Sequence, residues 1–96
     1  MAAYVIYQAE VLDPERYEVY KPVAAESVGR AGGRYIVRGG PIDVLEGEAP
    51  AGRTVVVEFP DRGTALEWYQ GDYAKARQLR EGAAIARMYV VDGIAP

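Results

Sequence analysis

The sequence predicts one α+β domain, a four-stranded antiparallel sheet with its helices on one face. Two features predict this. Segments with helical spacing separate four segments rich in β-branched and aromatic residues, in the order βαββαβ. Each strand segment also alternates, so that one set of side chains is apolar and the other mixed. This order is the ferredoxin-like arrangement.

Residues 3–12 read as the first strand. Asp13-Pro14-Glu15 starts a helix with an acceptor at the cap, Pro at the first position and an acid near the positive end of the dipole. Tyr17, Tyr20, Ala24, Ser27 and Val28 keep helical spacing. Pro22 interrupts them and predicts a kink, or a short helix followed by a second. Residues 29–33 end the helix, with Gly32 or Gly33 at positive φ. Residues 34–38 form the second strand, Gly39-Gly40-Pro41 a turn or bulge, and residues 42–45 its continuation. A polar loop, 46–52, leads to the third strand, 53–59. Asp61 caps the next helix, which carries Ala65, Trp68 and Tyr69. Gly71-Asp72 breaks it, and Asp72 is placed to cap a further helix with Tyr73, Ala76, Arg77 and Arg80. Residues 84–91 are the fourth strand.

Composition narrows the chemistry. Ninety-six residues make one domain, 1–96, small enough that oligomerisation is a natural supplement to its core. With no Cys there is no disulfide. With no His there is neither a Ser-His-Asp arrangement nor the usual transition-metal ligand, so we expect no metal and no cofactor. A net charge of −3 is the wrong sign for sequence-independent nucleic-acid binding. No uncharged run reaches the roughly 18–20 residues of a membrane helix, and the start does not read as a signal peptide. A cytoplasmic protein without nucleic-acid or membrane partners is expected. Eight tyrosines suit interfaces and pocket walls.

Alternation sorts the strands into two faces. Val5, Tyr7, Ala9, Val11, Tyr35, Val37, Val55, Val57, Phe59, Ala86, Met88 and Val90 belong under the helices. The opposite face carries Ile6, Ile36, Val56, Ile85, Tyr89 and Val91 together with Glu58, Arg34, Arg38 and Arg87. An apolar centre with charges around it fits a protein interface, and predicts a homodimer through this open face.

Several segments in order resemble a known family: Asp13-Pro14 with Tyr17 and Tyr20, Gly32-Gly33-Arg34-Tyr35, and Arg38-Gly39-Gly40. Leu45-Glu46-Gly47, Glu58-Phe59-Pro60, Ala65, Trp68-Tyr69, Tyr73, Arg77 and Arg80 follow. Together they resemble the DUF 1330 family of small bacterial proteins of unknown function. Gly71-Asp72 departs from that family's usual Ser-Pro-Glu. The resemblance implies the dimeric α/β-barrel superfamily, two such subunits packed sheet to sheet. Related families on this fold include cofactor-free monooxygenases and isomerases, which is an analogy of fold alone.

Three groups of residues are candidates for a site. Tyr17, Tyr20, Trp68, Tyr69 and Tyr73 can converge as aromatic walls for a small organic ligand, or can simply be core. Arg77 and Arg80, three residues apart, can hold a carboxylate or phosphate, or lie on a solvated helix face. Arg38, Glu58 and Arg87, with Gln8, form a charged set on the open face. Glu58 is the candidate base, and fixing dimer register is the structural alternative. The expected function is binding of a small aromatic or carboxylate ligand in a helix–sheet cleft. A cofactor-free isomerase or monooxygenase, and a structural module without catalysis, are the alternatives.

Overall fold

The computed structural model describes residues 1–95. Its elements are β1 (Ala3–Val11), α1 (Pro14–Arg30), β2 (Arg34–Arg38), β3 (Arg53–Phe59), α2 (Arg62–Gln70), α3 (Tyr73–Arg80) and β4 (Ala84–Asp92). The sheet has the order β2-β3-β1-β4 with every neighbouring pair antiparallel. This is the predicted ferredoxin-like topology.

Alternation governs burial along the central strands. Ala3, Val5, Tyr7 and Ala9 of β1 and Val55, Val57 and Phe59 of β3 are buried beneath the helices. From above, α1 supplies Tyr17, Tyr20, Ala24, Ser27 and Val28, the positions its helical spacing selects. Ala65 and Trp68 of α2 and Tyr73 and Ala76 of α3 complete the layer.

Local chemistry sets the helix ends. The Asp13 carboxylate accepts from the Arg16 N–H at 3.3 Å, and that of Asp61 from the Thr64 N–H at 2.7 Å. After α1, Gly32 takes a φ of 78°. The N–H of Gly33 then donates to the Val28 carbonyl and that of Gly32 to the Gly29 carbonyl, which makes a Schellman motif.

Four expectations need correction. Pro22 does not divide α1, which runs unbroken over 17 residues. Pro22 and Glu18, whose carbonyl it leaves without a helical donor, are both exposed, so water can take that carbonyl. Asp72 has helical φ and ψ and caps nothing; its carboxylate accepts two bonds from Arg30, at 2.8 and 3.0 Å. Residues 42–45 do not extend β2 but run as exposed chain.

The fourth correction bears on the site. Tyr35 pairs with Val57, but Val37 pairs with Val56 and Arg38 with Val55, so β2 carries a bulge. Paired residues share a face, and an extra residue reverses the alternation beyond it. Val37 therefore joins the open face, and Arg38 moves to the helix side with Tyr35.

Candidate functional site

On the helix side the first turns of α1 face β1, β2 and β3 across a cleft. Its lining is Tyr7, Tyr17, Tyr20, Lys21, Tyr35, Arg38 and Arg53, with Ala24 and Val55 behind. Helical spacing aims Tyr17, Tyr20 and Lys21 at the sheet. Alternation supplies Tyr7, Val55 and Arg53 from below, and the bulge delivers Arg38. The cleft is shallow, about 30 Å³, close to one water's share of liquid volume. It admits a polar head group; a ring must rest at the mouth.

Hydroxyl pairs link the tyrosines. Tyr7 and Tyr17 share a hydrogen bond at 3.1 Å, and Tyr20 and Tyr73 one at 2.6 Å. Arg80 reaches in from the end of α3, and its Nε–H donates to the Tyr73 hydroxyl at 3.2 Å. Its guanidinium lies 5.4 Å from the centre of the Tyr7 ring. Burial is the main reason that the Tyr7, Tyr20, Tyr35 and Tyr73 hydroxyls all titrate above the usual tyrosine range. These phenols are held protonated at neutral pH, as hydrogen-bonding groups rather than bases.

The arginines of the cleft lack anionic partners. Among the described residues no carboxylate lies within 4.0 Å of Arg38, Arg53 or Arg80, and Lys21 pairs only with the exposed Glu18. Arg38 stacks on Tyr35, 4.3 Å from the ring centre. Arg53 lies 6.0 Å from the centre of the Tyr17 ring. Gly39, with a φ of 72°, packs against the same guanidinium. A β-carbon at Gly39 would stand 2.7, 3.0 and 3.2 Å from Nη2, Cζ and Nε of Arg53, so the glycine lies across the flat of the guanidinium. Nε of Arg53 is, among the described residues, the one buried side-chain nitrogen or oxygen without a hydrogen-bond partner. An unmet buried donor of this kind costs about 1–3 kcal/mol.

The predicted site residues fall into separate places. Tyr17, Tyr20 and Arg38 line the cleft, and Tyr73 and Arg80 back it. Trp68 is core: its Nε1–H donates to Ser27 Oγ at 3.0 Å, and its ring stacks on Phe59 and Tyr73. Tyr69 borders a second, apolar groove of about 270 Å³ between α2 and β4, floored by Val5, Met88 and Val90. Arg77 stacks on Tyr69 at 4.7 Å, so Arg77 and Arg80 diverge onto different tyrosines and form no common clamp.

The charged set on the open face is not assembled. Arg38 is on the other side. Glu58 stands opposite Tyr4 and Arg87 opposite Gln8, four residues apart on β1 or about 13 Å at 3.3 Å per residue. Glu58 instead accepts from Arg34 Nε at 2.7 Å and from the Tyr4 hydroxyl at 3.2 Å. The Arg34 hydrogen bond is the main cause that holds its carboxyl below the usual glutamate range. A carboxylate so stabilised is a weakened base.

Arg53, Lys21, Tyr7 and Tyr35 are the residues of the cleft that sequence reasoning had not selected. The signal for Arg53 was present. Alternation from Val55, Val57 and Phe59 puts it on the helix face, which therefore does carry charge.

An antiparallel four-stranded sheet with three helices on one side and a basic tyrosine cleft between the layers defines a class. It is the α+β class of ferredoxin-like topology. The chain belongs to the family described as Domain of unknown function (DUF1330), whose model matches residues 2–94. Solved structures agree on the fold. A protein of unknown function from Rhodopseudomonas palustris, RPA0582, is 16% identical with a TM-score of 0.74 over 99% of this chain and 84% of its own. SnoaB, a cofactor-independent oxygenase from Streptomyces nogalater, is 11% identical with a TM-score of 0.60 over 99% and 95%. The de novo designed protein Foldit4 is 12% identical with a TM-score of 0.65 over 98% and 100%. No protein of curated function matches the sequence. A fold shared by an oxygenase and a designed chain does not carry an activity with it.

Proposed function

We propose that the protein is a homodimeric binding protein for a small organic ligand, held in the tyrosine cleft. One observation carries this reading. Four tyrosines and three basic side chains converge on one solvent-open cleft whose lining contains no carboxylate, in a chain with a net charge of −3. Local charge opposed to the overall charge, beside aromatic walls, suits an anionic or aromatic guest. The cleft supplies donors and flat surfaces but no base, which favours binding over proton transfer. The resemblance of fold to SnoaB supports the enzymatic alternative, a cofactor-free oxygenase or isomerase, but such an enzyme needs a base from outside this cleft. A thermal-shift screen of aromatic and carboxylic metabolites tests the reading. A stabilising compound should lose most of its effect in Tyr17→Phe and Arg38→Gln. A hit whose effect survives both changes refutes this placement.

Dimerisation through the open face rests on a separate observation. Ile85 and Tyr89 are 61% and 57% exposed on β4, with exposed Val91, and the row from Tyr89 crosses the sheet through Ile6 and Val56 to exposed Val37, next to Ile36, on β2. A contiguous apolar face of this kind favours a partner, and a second copy presents the same face in return. Sedimentation velocity should show a dimer that Tyr89→Glu dissociates. A monomer at high micromolar concentration in the unaltered protein contradicts the proposal.

A further inference from the structure

We infer that Arg53 seats the charge of the ligand, and that the ligand is an organic carboxylate whose carbon skeleton leaves the cleft between Lys21, Tyr35 and Arg38. This rests on the cleft being the binding site and adds to it the chemical class of the guest.

Donors and anionic acceptors do not balance in the cleft. Arg53 offers N–H groups from a rigid plane, with no acceptor assigned to any of them and with Nε buried. Arg38 likewise makes no hydrogen bond to an acceptor among the described residues, and Lys21 spends one of its three donors on Glu18. The Tyr7–Tyr17 pair holds two hydroxyl hydrogens and shares one hydrogen bond, which leaves one hydrogen spare. The cleft thus has charged donors in excess, and its free acceptors are neutral hydroxyl oxygens alone. Among small organic groups an ionised carboxylate accepts only, and it presents two coplanar oxygens.

Shape selects in the same direction. Gly39 lies against one flat of the guanidinium, so a planar carboxylate meets it best at the edge, where the N–H groups point. Ala9 stands opposite Arg53 on β1 and fills little of the space beside it. A cavity of about 30 Å³ takes the head group alone. The organic part then rests on Tyr35, where the Arg38 guanidinium now stacks. The chain beside Arg53 carries no side chain at Gly39 or Gly40, and a β-carbon at Gly40 would meet nothing within 4 Å, so the flank at Gly40 is open.

Titration followed by the Nε–H resonances of arginine in ¹H–¹⁵N spectra tests this, with benzoate, benzamide and inorganic phosphate as probes. The Arg53 signal is identified by its absence in Arg53→Gln. Benzoate should move that signal and bind about tenfold or more tightly than benzamide, as loss of a charged hydrogen bond implies. Arg53→Gln should reduce benzoate affinity by a similar factor and leave benzamide nearly unchanged. Equal binding of benzoate and benzamide to the unaltered protein overturns the inference, and needs no variant to fold. Phosphate moving the Nε–H signal as strongly as benzoate overturns the carboxylate class. If both aromatic probes move the amide signals of Tyr17 and Lys21 while the Arg53 signal stays still, the cleft survives and its assigned anchor falls. If neither probe moves any cleft signal, the cleft reading falls as well.

Discussion

Removal of single hydroxyls from the Tyr20–Tyr73–Arg80 chain should have unequal effects. Tyr73 is 1% exposed, and its oxygen is bonded both to the Tyr20 hydroxyl and to Arg80 Nε. Tyr20→Phe removes one partner and leaves Tyr73 bonded to Arg80. Its cost should be that of a typical net hydrogen bond, about 1 kcal/mol. Tyr73→Phe strands two groups at once. The buried Tyr20 hydroxyl loses its partner at about 1–3 kcal/mol, while Arg80, half-buried, can turn partly to water, so the total should be about 2–3 kcal/mol. In the double variant the stranded Tyr20 hydroxyl no longer exists. The double change should therefore cost less than Tyr73→Phe alone, and fall short of the sum of the singles by more than about 1 kcal/mol. Urea unfolding at a fixed protomer concentration, with unchanged m-values, measures all three. Costs that add to within about 0.3 kcal/mol, or Tyr20→Phe costing more than Tyr73→Phe, would refute the network as described.

Other expectations follow from single contacts. Ser27→Ala should cost about 1–2 kcal/mol by orphaning the Trp68 Nε1–H, offset by a few tenths from helix propensity, and denaturant titration reads it directly. Gly47→Ala and Gly52→Ala both put a β-carbon at positive φ, at about 1–2 kcal/mol of backbone strain. At Gly47 that is the whole cost, but at Gly52 the new carbon would stand 1.9 Å from the Ala9 carbonyl oxygen. Thermal unfolding should therefore show a much larger loss for Gly52→Ala. The Glu58 and Asp72 carboxyls are held low chiefly by their hydrogen bonds to Arg34 and Arg30. Such carboxylates stabilise the fold above their unfolded pKa, about 4, and lose that contribution as pH falls through the lower folded value. Arg34→Gln should thus lower stability at neutral pH and flatten its decline below pH of about 4; an unchanged acid profile in urea titrations would contradict the pairing.

The architecture was legible because it depends on patterns repeated along whole elements. Every strand was found by β-branched and aromatic runs, and the buried face of α1 by the spacing of Tyr17, Tyr20, Ala24, Ser27 and Val28. What escaped depends on single residues. A bulge inserts one position between Tyr35 and Val37, and no periodicity announces it; Arg38 was consequently assigned to the wrong face. Pro22 reads as a breaker because propensity knows nothing of the exposed carbonyl it leaves to water. Asp72 reads as a cap because its preference for Arg30, distant in sequence, is set by tertiary packing. The site was legible in residue type and not in grouping. Tyrosines and arginines were the right kinds, but which of them meet depends on the hand each helix turn and strand register deals. Trp68, Tyr69 and Arg77 went elsewhere, and Arg53 took their place.

The bulge in β2 lets the two surfaces of the sheet vary separately. It seats both Ile36 and Val37 on the open face and still returns Arg38 to the helix side, opposite Val55. Deletion of one of the two doubled residues would straighten the strand, leave Arg38 opposite Val55 and take one apolar side chain from the open face. A length polymorphism in this short edge strand would therefore trim the greasy surface while sparing the charge of the tyrosine side.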